Sequence, residues 1–248
     1  MRETIQISGM VLSSMAVGDY DKRLVILSKE RGRITAFARG ARKQNSSLMA
    51  CTRPFAFGSF SVYEGRDAYT LQSAEISCYF EELSSDMEAI SYGFYLLEFA
   101  GYYTRENENE SQMLYLLYLS IKALLNKHLE NRLVKVIFEL RSMQINGEYP
   151  QVFTCGHCGK ELTNGYFSSS KSGMVCSDCK ATCKDGIWIG DAATYAMQFI
   201  LSSPMQKLYT FTLSHFVLNE LERVTEMYKK RYIDREFQSL SILKTITT

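Results

Sequence analysis

Four of the seven cysteines in this 248-residue chain fall in two Cys-x-x-Cys pairs, Cys155/Cys158 and Cys176/Cys179, with seventeen residues between them. That gap lies within the spacing of a four-cysteine zinc site. A tight Cys-x-x-Cys turn aims two sulfurs at a point about 2.3 Å from each, and a second turn completes a tetrahedron. Gly156 and Gly159 supply the backbone freedom that the first turn needs. In the insert Glu161–Val175, Gly165 and Gly173 flank Tyr166-Phe167, which predicts a short hairpin. Four thiolates saturate one Zn²⁺ and leave no position for a water, so the expected role of the ion is structural. His157 would have to displace a cysteine to ligate, and Cys183 reads as a spare thiol or a replacement ligand. Cys51 and Cys78 read as small core residues, and His128 and His215, on helical segments, as structural.

The second chemical feature is charge. From Lys22 to Lys43 there are eight basic residues and one acid, Glu30, a local net of +7. From Glu81 to Glu110 eight acids face one base, Arg105, a local net of −7, and the overall net of +1 conceals both. Lys22, Arg23, Arg31, Arg33, Arg39, Arg42 and Lys43 are therefore candidate contacts to nucleic-acid phosphates, with Lys29 among them in sequence. Residues 38–47 read as a flexible basic loop in which Gly40 and the serines let backbone N–H groups approach phosphate. Tyr20, Phe37, Tyr63 and Tyr69 are candidate stacking platforms for bases. The alternative reading of the same residues is a solvated charged surface with its aromatics in the core.

Catalytic constellations are missing from the sequence. It contains no Gly-x-x-x-x-Gly-Lys-Ser/Thr loop, no Gly-x-Gly-x-x-Gly and no His-Glu-x-x-His. A Gly-x-Ser-x-Gly nucleophile elbow is also absent, as are both halves of the zinc-deaminase pattern. Met1–Val17 lacks the apolar run of a signal peptide, and no run approaches eighteen apolar residues. Thiolates held by zinc in a reducing cytoplasm are the simpler expectation than disulfides.

These features need elements to position them. Residues 4–12, 24–27, 33–38, 55–63 and 68–76 alternate or run apolar between turn residues, which predicts five short strands closing into a small OB-type barrel. From about Glu81 the apolar period becomes helical: Met87, Ile90, Phe94, Leu97 and Gly101 share one face, with Ser85 and Glu88 as a capping box. Gln112–Asn126 and Asn131–Gln144 predict two further helices, the second stopped by Asn146-Gly147 and Pro150. After the cysteines come Asp191–Leu201 and, beyond Pro204, one long amphipathic helix over Gln206–Arg231. Trp188 is expected to pack the cysteine module onto the helices. The fold class is thus multidomain α+β. An OB-fold spans 1–80, a helical domain spans 81–149 and 187–248, and a zinc finger is inserted at 150–186.

Several stretches together carry a family resemblance. Gly18-Asp19-Tyr20-Asp21-Lys22-Arg23-Leu24-Val25-Ile26-Leu27-Ser28, Arg31-Gly32-Arg33-Ile34, Ala38-Arg39-Gly40-Ala41-Arg42, Pro54-Phe55 and Leu71 through Ala74-Glu75 resemble the N-terminal domain of the bacterial RecO recombination mediators. The order of barrel, helices, four cysteines and returning helices is similar too. The resemblance implies a DNA repair protein that binds single- and double-stranded DNA and anneals complementary strands. It also implies association with RecR and the single-stranded-DNA-binding protein, indirect help in loading RecA, and a cytoplasmic, nucleoid-associated location. Arg53-Pro54-Phe55 stands where many members have Gln-Pro-Phe, which adds a charge. An acidic tail of the single-stranded-DNA-binding protein would need a basic, apolar groove, for which Arg141 and Lys229-Lys230-Arg231 are candidates. The competing reading from another class is a redox-sensitive zinc-thiolate chaperone or sensor; an enzyme with an unrecognised site is a third.

Overall fold

The computed structural model describes residues 4–246. Two compact units form: residues 4–125 with 241–246, and residues 126–240.

The first unit is built on a five-stranded barrel of β1 (Thr4–Val17), β2 (Asp21–Ser28), β3 (Gly32–Ala38), β4 (Phe57–Tyr63) and β5 (Tyr69–Cys78). The strands close in the order β1-β2-β3-β5-β4, the OB-type arrangement expected. A short parallel seam, Ala36↔Tyr69 and Phe37↔Thr70, joins β3 to β5. β1 runs five residues past its predicted end. Its first half pairs with β4 and its second with β2, and an irregularity between Val11 and Ser13 lets it turn that corner. The alternation seen in the sequence sends Ile7, Leu24, Ile26, Ile34, Ala36, Phe60, Val62 and Leu71 into one buried cluster. A single helical turn, α1 (Leu48–Cys51), lies between the predicted strands 33–38 and 55–63 and plugs Leu48 and Cys51 into that cluster.

Helices α2 (Met87–Tyr103) and α3 (Ser111–Leu124) belong to this unit. The cap of α2 is Asp86, whose Oδ1 accepts from the N–H groups of Glu88 and Ala89 at 3.0 Å. Ser85 is instead occupied in donating to the Glu82 carbonyl, so the expected Ser85/Glu88 box does not form. An Asp carboxylate one residue nearer the helix satisfies the same orphan N–H groups.

The second unit holds α4 (Asn131–Ile145), α5 (Asp191–Ser202) and α6 (His215–Lys229), with a small sheet of β6 (Gly165–Ser168), β7 (Gly173–Val175) and β8 (Ile187–Ile189) in the order β7-β6-β8. The hairpin is where the glycines place it; the third strand carried no periodic signal in three residues. The expected helix over 206–231 begins only at His215, where Ser214 caps it through its Oγ. A 3-10 turn at Met205–Lys207 and irregular backbone precede it. α7 (Gln238–Ile246) ends the described chain.

Charge, as well as apolar packing, joins α4 to α6. Lys135 and Lys229 alternate with Glu139 and Glu226, with N–O separations of 2.6–3.3 Å. Glu139 is fully buried. Burial opposes the charge of Lys135, but Glu139 and Glu226 override it and raise its pKa. Burial likewise opposes ionisation of Glu226, and the two lysines override it and lower its pKa.

Candidate nucleic-acid interface and four-cysteine centre

Five of the seven candidate DNA contacts lie toward one end of the barrel. Lys22 and Arg23 open β2, Arg39 follows β3, and Arg42 and Lys43 lie in the turn beyond. Lys22 points to the mouth of the barrel, where its Nζ donates to Thr52 Oγ1 at 2.9 Å. Arg23 is exposed on the outer face, opposite Phe37. The segment expected to be a flexible loop is a built turn. Gly40 N–H donates to Asp21 Oδ1 at 2.8 Å, Arg42 N–H to the Tyr20 carbonyl at 2.8 Å, and Arg42 Nη1 to the Gly18 carbonyl at 3.0 Å. Lys43 Nζ stands 5.5 Å from the centre of the Tyr20 ring, and Tyr20 is 56% exposed.

Sequence reasoning treated Arg53 only as an added charge, but it joins this group. Burial lowers the pKa of Lys22 first, and the positive charges of Arg53 and Arg42 lower it further. Arg53 lies ten residues past Lys43, outside the basic run, and the fold of residues 52–55 beside Lys22 is what brings it in. Among the candidate stackers, Tyr20 is exposed, Phe37 and Tyr63 are half-buried, and Tyr69 is a core residue at 3% exposure.

Arg31 and Arg33 lie apart. Arg33 is six residues before Arg39, about 20 Å at ~3.3 Å per residue. Its Nη1 donates to the Gly101 carbonyl at the end of α2 at 2.8 Å. Around it the β2–β3 turn docks on the acidic segment: Arg33 N–H donates to the Arg105 carbonyl and Asn107 N–H to the Arg31 carbonyl. Gly32 has φ +64°, and a Cβ there would stand 2.0 Å from the Arg105 oxygen, so only glycine fits this approach. Part of the acidic stretch is thus used inside the unit, against the hairpin that carries Arg31 and Arg33.

In the second unit, Cys155, Cys158, Cys176 and Cys179 bring their sulfurs within 4.8 Å of one another. The Cys158 and Cys176 sulfurs are 3.8 Å apart, the edge of a tetrahedron with arms of about 2.3 Å. Cys176 N–H donates to the Cys155 sulfur at 3.3 Å. Burial opposes ionisation of Cys155, yet N–H groups of Cys158, Cys176 and His157 hold its thiol at about 6. Cys179 is pushed up to about 12, first by its bond with Cys176 and then by burial and the other sulfurs. Four crowded thiols cannot all ionise without a cation among them, so the donor set, spacing and electrostatics fit a metal ion. Neither His157 nor Cys183 belongs to the cluster; Cys183 donates instead to the Lys180 carbonyl.

The module is held on its helices by Gln198, whose Nε2 donates to the Val152 and Leu162 carbonyls at 2.9 Å, and by edge-to-face packing of Phe167 on Tyr228. Trp188 does not bury itself on the helices as expected. It is 45% exposed, packs its ring on Tyr166 and accepts from Arg223 through its carbonyl. The candidates for an acidic tail are mostly engaged. Arg141 caps the carbonyls of Ile200, Leu201 and Ser203, Lys229 is in the buried ion network, and Arg231 donates to the Ser169 carbonyl. Lys230 is exposed. Among the described residues, no helix is long and apolar enough to cross a membrane.

Comparison with known proteins bears on both sites. Residues 1–80 match the family model "Recombination protein O N terminal" and residues 84–241 match "Recombination protein O C terminal". The chain is 30% identical to DNA repair protein RecO of Acetivibrio thermocellus, over 98% of this chain and 97% of that protein. It is 30% identical to the protein of the same name from Alkaliphilus metalliredigens, over 98% and 99%, and 29% identical to that of Clostridium perfringens strain 13, over 98% of each.

Proposed function

The chain belongs to the recombination protein O family, and on that footing we propose that it is a DNA-binding recombination mediator in DNA repair. It binds single- and double-stranded DNA, anneals complementary strands, and helps load RecA with RecR onto DNA coated by the single-stranded-DNA-binding protein. It works in the cytoplasm at the nucleoid and performs no covalent chemistry. The observation that carries the DNA-binding part is the gathering of Lys22, Arg42 and Arg53 at one end of a closed barrel, with Lys43 over exposed Tyr20 in the same turn as Arg42. The names of the relatives support the repair role; the partners rest on the resemblance.

The physical basis of annealing is electrostatic. Two phosphate backbones repel, and a surface that neutralises several phosphates lowers that repulsion while releasing counterions. Phosphate contacts of this kind position a strand without reading its sequence, which suits a protein that must pair any two complements. Arg23, Arg39, Arg42 and Lys43 are all exposed and supply those contacts. Arg31 and Arg33 serve the docking of the hairpin first, and a strand reaching them would follow the barrel for about 20 Å.

The ion in the four-cysteine centre is Zn²⁺ on this reading, since soft thiolates in tetrahedral array select it. Cys155, Cys158, Cys176 and Cys179 would hold it and so fix the two turns of the module. The domain limits 1–80, 81–149, 150–186 and 187–248 complete the proposal. Reversing the charge of Arg39, Arg42 and Lys43 together should abolish strand annealing while circular dichroism stays unchanged. Annealing at the wild-type rate would remove this surface from the function.

A further inference from the structure

The first unit carries a groove of about 480 Å³ beside the basic cluster. Two of its wall residues, Phe55 (φ 70°) and Phe80 (φ 52°), hold left-handed backbone although neither is glycine. Bulky residues keep such conformations only where their surroundings over-determine them, and they gather at ligand clamps and other functional sites. The surroundings here are specific. The Phe55 ring lies directly over Gly93 of α2, where any Cβ would come within 3.0 Å of it. Phe94, the next residue, packs on the same ring with centroids 5.0 Å apart, yet stays 42% exposed. A bare glycine and a strained loop thus seat Phe55 beneath an aromatic ring that stays partly open to solvent.

The rim shows what that face would receive. Arg53 and Glu81 both line the groove; Arg53 follows Thr52, whose Oγ1 accepts from Lys22 Nζ at 2.9 Å, and its charge is felt at Lys22 together with that of Arg42. The path from the cation cluster into the groove is the chain segment 52–55 itself. A ligand suited to both has negative charge for the cluster and, next to it, a flat apolar ring for Phe94. A single nucleic-acid strand has that alternation in every nucleotide, whereas a duplex keeps its ring faces stacked inside.

We propose that this groove takes one unstacked nucleobase of single-stranded DNA, its ring against Phe94, while the adjoining phosphates lie on Lys22, Arg42 and Arg53. The inference rests on the reading of the basic cluster as the DNA surface, and it adds a preference for single strands. Base–aromatic stacking converts to about 5- to 150-fold in affinity per base.

The test uses the full chain and a single-stranded oligonucleotide carrying 2-aminopurine, whose fluorescence reports stacking. Wild type should change that fluorescence on binding, and Phe94→Ala should lose the change and about 5- to 150-fold in affinity for the single strand but not for duplex. Phe94→Trp should restore both, and circular dichroism should match in all three. Wild-type fluorescence and affinity in Phe94→Ala, with binding lost in an Arg42→Glu/Lys43→Glu variant, would overturn the groove and leave the basic cluster standing. Unchanged binding in the charge-reversed variant would remove the cluster and the groove with it. Binding of an apolar, acid-ended peptide that needs Phe94 while the oligonucleotide does not would give the groove to a protein partner, and so overturn the proposal.

Discussion

Glu139→Gln should destabilise the helical unit far more than an ordinary loss of one ion pair. The Glu139 side chain is 0% exposed and accepts from Lys229 at 2.7 Å and Lys135 at 3.3 Å, both lysines being nearly as buried. Glutamine keeps the shape and removes the charge that both buried lysines face. Removing one partner of a buried pair costs about 3–5 kcal/mol, because the other charge stays desolvated. Glu226 still bridges both lysines and its side chain is 38% exposed, which puts the expected loss near the lower end, about 3 kcal/mol. The internal control is Glu222→Gln on the same pair of helices. Its partner Arg132 has a side chain 36% exposed and Glu222 is 22% exposed, and Arg132 also donates to Asn219. Such a pair is worth about 0.2–1 kcal/mol. Urea unfolding followed by circular dichroism reads the difference: with a slope of about 2 kcal/mol per molar, Glu139→Gln should move the midpoint by about 1.5 M. A shift no larger than that of Glu222→Gln would refute the idea that this charge ring is desolvated and structural.

The same ring sets a pH window. Glu226 has a lowered folded pKa, so its stabilisation is present above the unfolded carboxylate value of ~4.3 and is lost as pH falls through the folded one. Lys135 is raised, so its share is present below ~10.4 and lost only as pH rises beyond that. The stability gap between wild type and Glu139→Gln should therefore be flat from about pH 5 to 9, and a fall between pH 6 and 8 would contradict this. Replacing Cys155 and Cys158 by serine should abolish metal content measured by elemental analysis and expose residues 150–186 to proteolysis; retained metal would show that other ligands suffice. Gly32→Ala should free the β2–β3 turn from residues 105–108, seen as faster hydrogen exchange at the Arg33 and Asn107 amides. Unchanged protection would mean the turn accommodates the methyl group.

How much could be read beforehand depended on the range of each interaction. Alternation over Arg33–Ala38 and Phe57–Tyr63 reports a barrel wall, because the period is local. The four cysteines were legible because their chemistry fixes their spacing. Arg53 was not: it becomes part of the basic cluster only when residues 52–55 fold back beside Lys22. The structural contact of Arg33 was hidden for the converse reason, since its charge in sequence gives no sign that the Gly101 carbonyl will accept from it. The helix expected from Gln206 fails because a helical apolar period can continue through irregular backbone, and the Ser214 cap decides where the helix begins. Phe55 and Phe80 offered no signal at all, as a left-handed aromatic is imposed by tertiary packing.

The most direct test of the DNA-binding surface is the salt dependence of affinity for a fluorescent single-stranded oligonucleotide. Arg23, Arg39, Arg42, Lys43 and Arg53 are the exposed cations in or beside the cluster. At about 0.7 per phosphate neutralised, engaging all of them gives a slope of log affinity against log salt of up to about −3.5. Reversing Arg39, Arg42 and Lys43 should flatten that slope and weaken binding across all sequences alike. A wild-type slope shallower than about −1, or one that the triple reversal leaves unchanged, would contradict the account.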